Sequence, residues 1–577
     1  VGSPQLEAAT SALHGAVAGL FLAALAAWLL GRRNLRASFA LVFLVVPGWL
    51  CLRVAGEPYL GGLLVSAGLL GAGFRRLRIA TALKAGGEIA EHARQARTIR
   101  EVARNRRDRR RLRRFGPMDW PGTYVLGEDE NGTLARLPLG REEGRHVLLI
   151  GATGAGKTTT LSSVLWRHVE GGSGAILIDP KGDPALVERA RHEALARSRA
   201  FYCFSLDSPR DHWNPLAAGT PSEKADKLIG AEEWTEPHYK RLYQRYLLNL
   251  FLAIEAHGET AHLGLVVELL NPDRLAMYCR AIDGAVAAER LAGYLEDLTT
   301  EERRQLSGLR NRLALLTESE HGAQLQPPAQ PENAVDLALA VAQQAVVVFS
   351  LNSARYPETV KLLGAAIFQD LKTVAGRIEA DAGFGHPAVV AVDEFAAFGA
   401  DHVLGLFQRA RSARLSLLLA TQELADLRRI DEAFQDQVLG NVETVVAHRQ
   451  NVPDSAELVA QIAGTREAWI HTFQTDDRML LTGTAQFGLG TRHRGHEFLV
   501  APDTIKRLRT GDAIVIRKTP HDARRVSVYV PEWPEAFWTP ESRAALEADH
   551  REVAYGRTRL ADREQAAMAA HGERQAA

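Results

Sequence analysis

Residues Gly151 to Thr158 read G-A-T-G-A-G-K-T and follow directly on the apolar run His146-Val-Leu-Leu-Ile150. That order is a buried strand, a glycine loop and a helix start, the layout of a phosphate-binding P-loop in an α/β fold. Gly151, Gly154 and Gly156 let the backbone curl, so that successive N–H groups from Ala152, Thr153 and Ala155 up to Thr159 face one point at a helix N-terminus. Lys157 is then placed to reach the outer phosphates of ATP, and Thr158 to ligate Mg2+. A glycine-rich turn ahead of an ordinary helix is the alternative, and the preceding strand argues for the phosphate site.

The chain has 577 residues, 46% hydrophobic and 24% charged, which is a folded composition with room for two or three domains. Cys51, Cys203 and Cys279 show neither C-x-x-C spacing nor even pairing, so they support no zinc site or disulfide framework and suit a reducing cytoplasm. Net charge is zero, yet residues 75 to 114 carry fifteen Lys or Arg against four acids, and everything from 115 onward is net acidic.

Residues 1–75 are a different material. Ala12 to Leu30 is long enough to cross a membrane, whereas Phe39 to Leu52 and Leu60 to Phe74 fall short of roughly twenty residues, and soluble core helices are the alternative for those two. A cleaved signal peptide would want basic residues first, and positions 1 to 11 offer only Glu7. Arg32, Arg33 and Arg36 follow the first run and Arg75, Arg76 and Arg78 the third, so the positive-inside rule predicts three spans with the N-terminus outside. Two spans are the topological alternative. Residues 76–118 then form a basic juxtamembrane linker or helix, drawn to anionic lipid at roughly 1 kcal/mol per basic residue. Nucleic-acid contact is the competing reading, without aromatics for stacking.

From Trp120 the pattern becomes short strands, with Asn131-Gly132 as a hairpin turn ahead of the P-loop strand. Further β-rich runs occur at Ala175–Asp179, Phe201–Leu206, Ala345–Leu351, Ala388–Asp393, Leu415–Thr421, Thr444–Ala447 and Ala513–Ile516. They predict a sheet covered on both faces, in two parts, 119–217 and 343–530. Between them, 218–342 has helical periodicity, as in Tyr239–Ala256 and Glu302–Leu316, and predicts an all-α insertion; cover for the sheet is the alternative. The end, 531–577, is polar and predicted helical and solvated, or disordered.

Val389-Val-Ala-Val-Asp393-Glu394 closes an apolar strand in two acids, the second nucleotide motif: Asp393 for magnesium, Glu394 to polarise the attacking water. Leu415–Thr421 ends in Gln422, placed where an amide senses the outermost phosphate. Arg409, Arg411 and Arg414 precede that strand, where a guanidinium could serve an adjacent subunit or simply complement a helix dipole. Asp179-Pro-Lys181-Gly-Asp183 reads as a tight strand-end turn, and His493 with His496 as loop histidines rather than metal ligands.

These stretches, with W-N-P-L at Trp213–Leu216, R-A-R-S-A-R-L-S-L-L-L-A-T-Q and the late P-D-T-I-K-R-L-R-T-G-D-A, together resemble the TraD/TraG-like coupling proteins of type IV secretion and conjugation. The resemblance runs from the apolar segments to about residue 530. It implies a RecA-like, homo-hexameric ATPase of the HerA/FtsK class in the bacterial inner membrane, multi-pass, with its ATPase domain in the cytoplasm. It also implies a cargo of relaxase with attached single-stranded DNA, or of protein, handed to the type IV secretion channel. Carried over by position, Lys157 and Thr158 serve nucleotide and magnesium, Asp393 and Glu394 are the acids, Arg411 is the arginine supplied in trans and Gln422 the sensor, while Asp179-Pro-Lys181-Gly-Asp183 matches a family signature near the nucleotide at the end of the second core strand, with no firm role assigned to it. A substrate adaptor without DNA pumping and an FtsK-like translocase are the alternatives.

Overall fold

The computed structural model describes residues 10–11, 99–115, 122–140, 142–230, 237–280, 285–380, 386–476, 485–530, 541–554 and 556. The three apolar segments expected to span a membrane lie outside the described residues, and among the described ones no helix is long and apolar enough to cross.

Short runs of branched and aromatic residues bounded by Gly, Pro or Asp set the strands. They are β1 (Thr123–Asp129), β2 (Leu134–Pro138), β3 (Val147–Ile150), β4 (Gly174–Asp179), β5 (Phe201–Ser205), β6 (Val346–Ser350), β7 (Ala388–Val392), β8 (Leu415–Thr421), β9 (Thr444–Ala447), β10 (Thr465–Asp476), β11 (Ala485–Phe498), β12 (Asp512–Arg517) and β13 (Asp522–Val528). Eleven form one sheet in the order β2-β1-β13-β12-β9-β3-β8-β7-β4-β6-β5, while β10 and β11 pair with each other. From β9 to β5 the strands are parallel. The other end is antiparallel, where the short links between β1 and β2 and between β12 and β13 leave no room for a crossover.

The described residues divide into two compact units, those within 1–106 with 467–497 and those within 107–466 with 498–577. The large sheet belongs to the second. Its alternating side chains divide between two cores: Val147, Leu149, Leu177, Val348, Val389 and Leu418 on one face, Leu148, Ile150, Ile178, Phe349, Val390 and Leu419 on the other. Within the second unit, the part of helix α1 (Ile99–Phe115) from residue 107 onward meets the first hairpin, where Asp108 takes Arg136 at 2.6 Å and Arg109 reaches Glu128 at 2.9 Å. The first face is covered by α2 (Lys157–Glu170), through Leu161, Val164, Leu165 and Trp166, and by α3 (Pro184–Ala196), through Leu186, Ala190 and Ala194.

Between β5 and β6 the chain is helical: α4 (Pro221–Gly230), α5 (Pro237–Ala256), α6 (Leu263–Leu269), α7 (Pro272–Cys279), α8 (Ala285–Glu296), α9 (Thr300–Thr317) and α10 (Leu337–Ala342). Local signals start them. Thr299 and Glu302 form a reciprocal capping box on α9, and Asn271 caps α7 with Pro272 in its first turn. The apolar faces of these helices are continuous with the core that also holds α11 (Pro357–Ala380) and α12 (Ala400–Ala410). The W-N-P-L stretch is the joint. Trp213, fully buried, donates its indole N–H to Asp370 of α11 at 3.3 Å, and Lys227 of α4 joins the same carboxylate at 2.6 Å.

The end of the chain is not wholly solvated. Residues 541–554 are helical, and Glu547 and Arg551 are 1% and 4% exposed. Arg551 pairs with the fully buried Asp211 through two hydrogen bonds of 2.7 and 2.8 Å and donates to the carbonyl of Phe201, while Asp211 also accepts from the Cys203 N–H. Outward backbone groups of edge strand β5 are thereby satisfied by an ion pair instead of a twelfth strand.

Candidate nucleotide-binding site

In the parallel part of the sheet every strand delivers its C-terminal residue to one edge, and the candidate site residues gather there. β3 ends at the P-loop and β7 at Asp393, with β8 between them carrying Thr421 and Gln422. The loop takes the conformation its glycines allow. Gly154 and Gly156 have φ of 75° and 104°, and a Cβ on Gly151 would meet His448 at 2.8 Å. α2 begins at Lys157, so its first N–H groups open towards the loop's concavity.

The loop is held from behind by parts of the chain far away in sequence. Ala152 N–H donates to Arg449 O at 3.0 Å, Thr510 Oγ1 to Gly154 O at 3.1 Å, and Gly511 N–H to Ala155 O at 3.1 Å. His448, fully buried, stands beneath. Its Nδ1 is 2.9 Å from Asp512 O, which can only accept, so Nδ1 carries the proton and Nε2 accepts from Thr160 Oγ1 at 2.9 Å. Burial lowers the His448 pKa, which keeps the ring in this neutral form.

Four charges meet in front of the loop. Lys157 Nζ, buried, bonds to Glu394 Oε1 and lies 3.5 Å from Asp393 Oδ1. Lys181 Nζ, on the turn after β4, reaches Glu394 Oε1 at 3.0 Å and Asp393 Oδ2 at 3.2 Å. Burial works to raise the Glu394 pKa, but the hydrogen bonds and charges of Lys157 and Lys181 outweigh it and hold it below the ordinary value. Glu394 itself has φ 45° and ψ 47°, a left-handed conformation uncommon for a non-glycine residue and found repeatedly where function constrains the backbone.

The structure therefore brings Lys157, Asp393 and Glu394 together, and puts Gln422 against the loop, where Thr153 Oγ1 is 3.3 Å from Gln422 Oε1. Thr158 and Thr159 are half-buried in the first turn of α2. Thr158 and Asp393 are a hard-oxygen pair of the kind that holds Mg2+ together with phosphates and water. Among the described residues no cluster of three His, Cys, Asp or Glu side chains suits a more demanding metal, and His493 and His496 are exposed on β11. Arg411 is not with this group: it caps α12, and its guanidinium is paired with Glu143 at 2.8 Å on the surface.

Sequence reasoning gave Lys181 no role and passed over His448. The D-P-K-G-D stretch was visible without a role. Its buried Asp179 accepts from the N–H groups of Lys181 and Asp183 at 2.9 and 2.7 Å, and this turn aims Lys181 across to β7. Nothing in the sequence marks His448, whose partner Thr160 is 288 positions away.

Two family models match this chain. The type IV secretion-system coupling protein DNA-binding domain matches residues 132–280, and the TraM recognition site of TraD and TraG matches residues 387–510. No curated protein matches. Among solved structures, the bacterial conjugative coupling protein TrwBdeltaN70 is 15% identical over 71% of this chain and 89% of its own, with a TM-score of 0.49. The plasmid coupling protein TrwB in complex with ADP and Mg2+ is 14% identical over 69% and 87%, at 0.47. VirB4 of Thermoanaerobacter pseudethanolicus is 16% identical over 72% and 98%, at 0.45. One family model lies over the P-loop and the other over the acid pair and Gln422, residues that meet at one sheet edge, so in both stretches the chain is similar to the type IV secretion-system coupling proteins.

Proposed function

We propose that this protein is a membrane-anchored, RecA-like ATPase that hydrolyses MgATP and uses the cycle to pass a relaxase with its single-stranded DNA, or a protein substrate, into a type IV secretion channel. The observation that carries the reading is the convergence of Lys157 with Asp393 and with Glu394, the latter 237 sequence positions away. The P-loop N–H groups and the α2 N-terminus cradle the phosphates, and Lys157 turns from Glu394 to the outer ones. Mg2+, when held by Thr158 and Asp393, supplies charge stabilisation on the phosphoryl oxygens. Glu394 orients the attacking water, and Gln422, next to Thr153, reports whether a terminal phosphate is present.

Six chains form the ring in this reading, each lending Arg411 to its neighbour, with segment 218–342 meeting the substrate. Residues 1–75 anchor it in the bacterial inner membrane by two or three spans, and the ATPase core faces the cytoplasm. The test is ATP hydrolysis by the full chain in detergent or nanodiscs, with and without single-stranded DNA. Turnover that rises with DNA and vanishes in Lys157→Ala and Asp393→Ala is expected. Normal turnover in either variant would remove the site, and hydrolysis indifferent to DNA would favour an adaptor that spends ATP on assembly.

A further inference from the structure

The geometry points to Lys181 as a positioning residue for hydrolysis, the cation that keeps the Asp393–Glu394 carboxylates in place when Lys157 leaves them for the phosphates. The inference rests on the nucleotide reading above and adds a residue to it. Two lysines share one oxygen, Glu394 Oε1, and both also face Asp393, one from each side: Lys157 towards Oδ1 and Lys181 towards Oδ2. They are not equivalent. Lys157 is rooted in the P-loop with its side chain 7% exposed, whereas the Lys181 side chain is 45% exposed on a different strand end.

A phosphate group competes with Glu394 for Lys157, because an ammonium that bonds to the outer phosphates cannot hold the glutamate in its present place. Glu394 would then be an anion beside anions, on a backbone in the left-handed region, with one side-chain cation still bonded to it among the described residues. Lys181 is that cation, and its attachment suits the task. Asp179 accepts the N–H groups of Lys181 and Asp183, Asp183 caps α3, and Gly182, at φ 71°, packs so close to Asn352 that a Cβ would approach it to 2.9 Å. The turn is tied to the end of β4 by these bonds, so the reach of Lys181 is set by the sheet and not by the nucleotide. The contrast with a surface lysine is that its two partners are the two carboxylates on which the reaction depends.

The experiment compares wild type, Lys181→Met and Lys181→Arg as full chains in nanodiscs, measuring kcat and KM for ATP alongside the affinity for a fluorescent non-hydrolysable triphosphate. Lys181→Met is expected to lower kcat by about 100-fold while weakening the analogue by less than about ten-fold, because a misplaced base costs rate more than binding. Lys181→Arg, which keeps a cation at the acids, is expected to recover part of kcat. An analogue affinity that falls as far as kcat/KM would mean that Lys181 grips phosphate directly, and an unchanged kcat would mean an idle surface lysine; either overturns the inference. So does a kcat loss accompanied by a lowered thermal midpoint. Absence of hydrolysis in the wild type, or its survival in Lys157→Ala, would instead sink the nucleotide reading.

Discussion

His448 shows how one buried side chain joins the nucleotide loop to the antiparallel end of the sheet. His448→Ala leaves the Thr160 hydroxyl and the Asp512 carbonyl without their bonds and opens a void under Gly151 and Gly156. The expected cost is about 2–4 kcal/mol in a denaturant midpoint, with weaker binding of a triphosphate analogue. A variant as stable as wild type would deny the buttress. His146 and His168 make a separate prediction. Both are buried, with a ring nitrogen lacking a partner among the described residues, and burial pushes each pKa from 6.5 down to about 4. In that window the unfolded chain binds the proton and the folded chain does not, so stability is full above 6.5 and is lost as pH falls towards 4. The slope is at most about 1.4 kcal/mol per pH unit for each ring. Urea midpoints at about pH 7.5 and about pH 5 measure it, and His168→Leu should flatten the difference. Equal slopes in the two proteins would show that His168 does not titrate this way.

The helix 541–554 is a working element of the core and not an appendage. Asp211 and Arg551 are buried together against β5, so Arg551→Ala strands a carboxylate with 0% exposure, and breaking such a pair costs about 3–5 kcal/mol. The measurable result is release of the C-terminal helix to limited proteolysis and a lower thermal midpoint; a change below about 0.5 kcal/mol would mean the contact is ornamental. This element also marks the limit of what the sequence disclosed. The parallel strands were legible because a strand buried on both faces must be a continuous apolar run, and the P-loop and Val389–Glu394 were legible because their chemistry is local. The clamp was not, since Glu547 and Arg551 sit in a run of Ala, Glu and Arg that reads as solvated until their partners Arg191, Arg210 and Asp211, more than 300 positions earlier, are in view. The antiparallel end of the sheet was hidden for a related reason. β13 meets β1 from opposite ends of the core, a pairing of residues 127–129 with 526–528 that no periodicity announces.

Within one chain the acids are met by lysines, Lys157 and Lys181, and Arg411 is occupied with Glu143 on the surface. Among the described residues Arg411 stands apart from the acids in the single chain, as the proposed ring with shared sites requires, and that ring makes a prediction that a lone chain does not. Both members of the Arg411–Glu143 pair are exposed, so losing it should leave the thermal midpoint essentially unchanged. Arg411→Ala should therefore remain folded and bind a triphosphate analogue, yet lose hydrolysis by about a thousand-fold or more if the guanidinium meets developing charge in a neighbouring site. Lys157→Ala should be inactive for the opposite reason, since it retains Arg411 but has no competent loop. Mixed in one preparation, the two variants create interfaces where an intact Lys157 of one chain faces an intact Arg411 of the other. ATPase activity should return in the mixture and follow the product of the two fractions. Silence across all mixing ratios, with co-assembly verified by two affinity tags, would mean that no such shared site is formed and that Arg411 is only the C-terminal cap of α12.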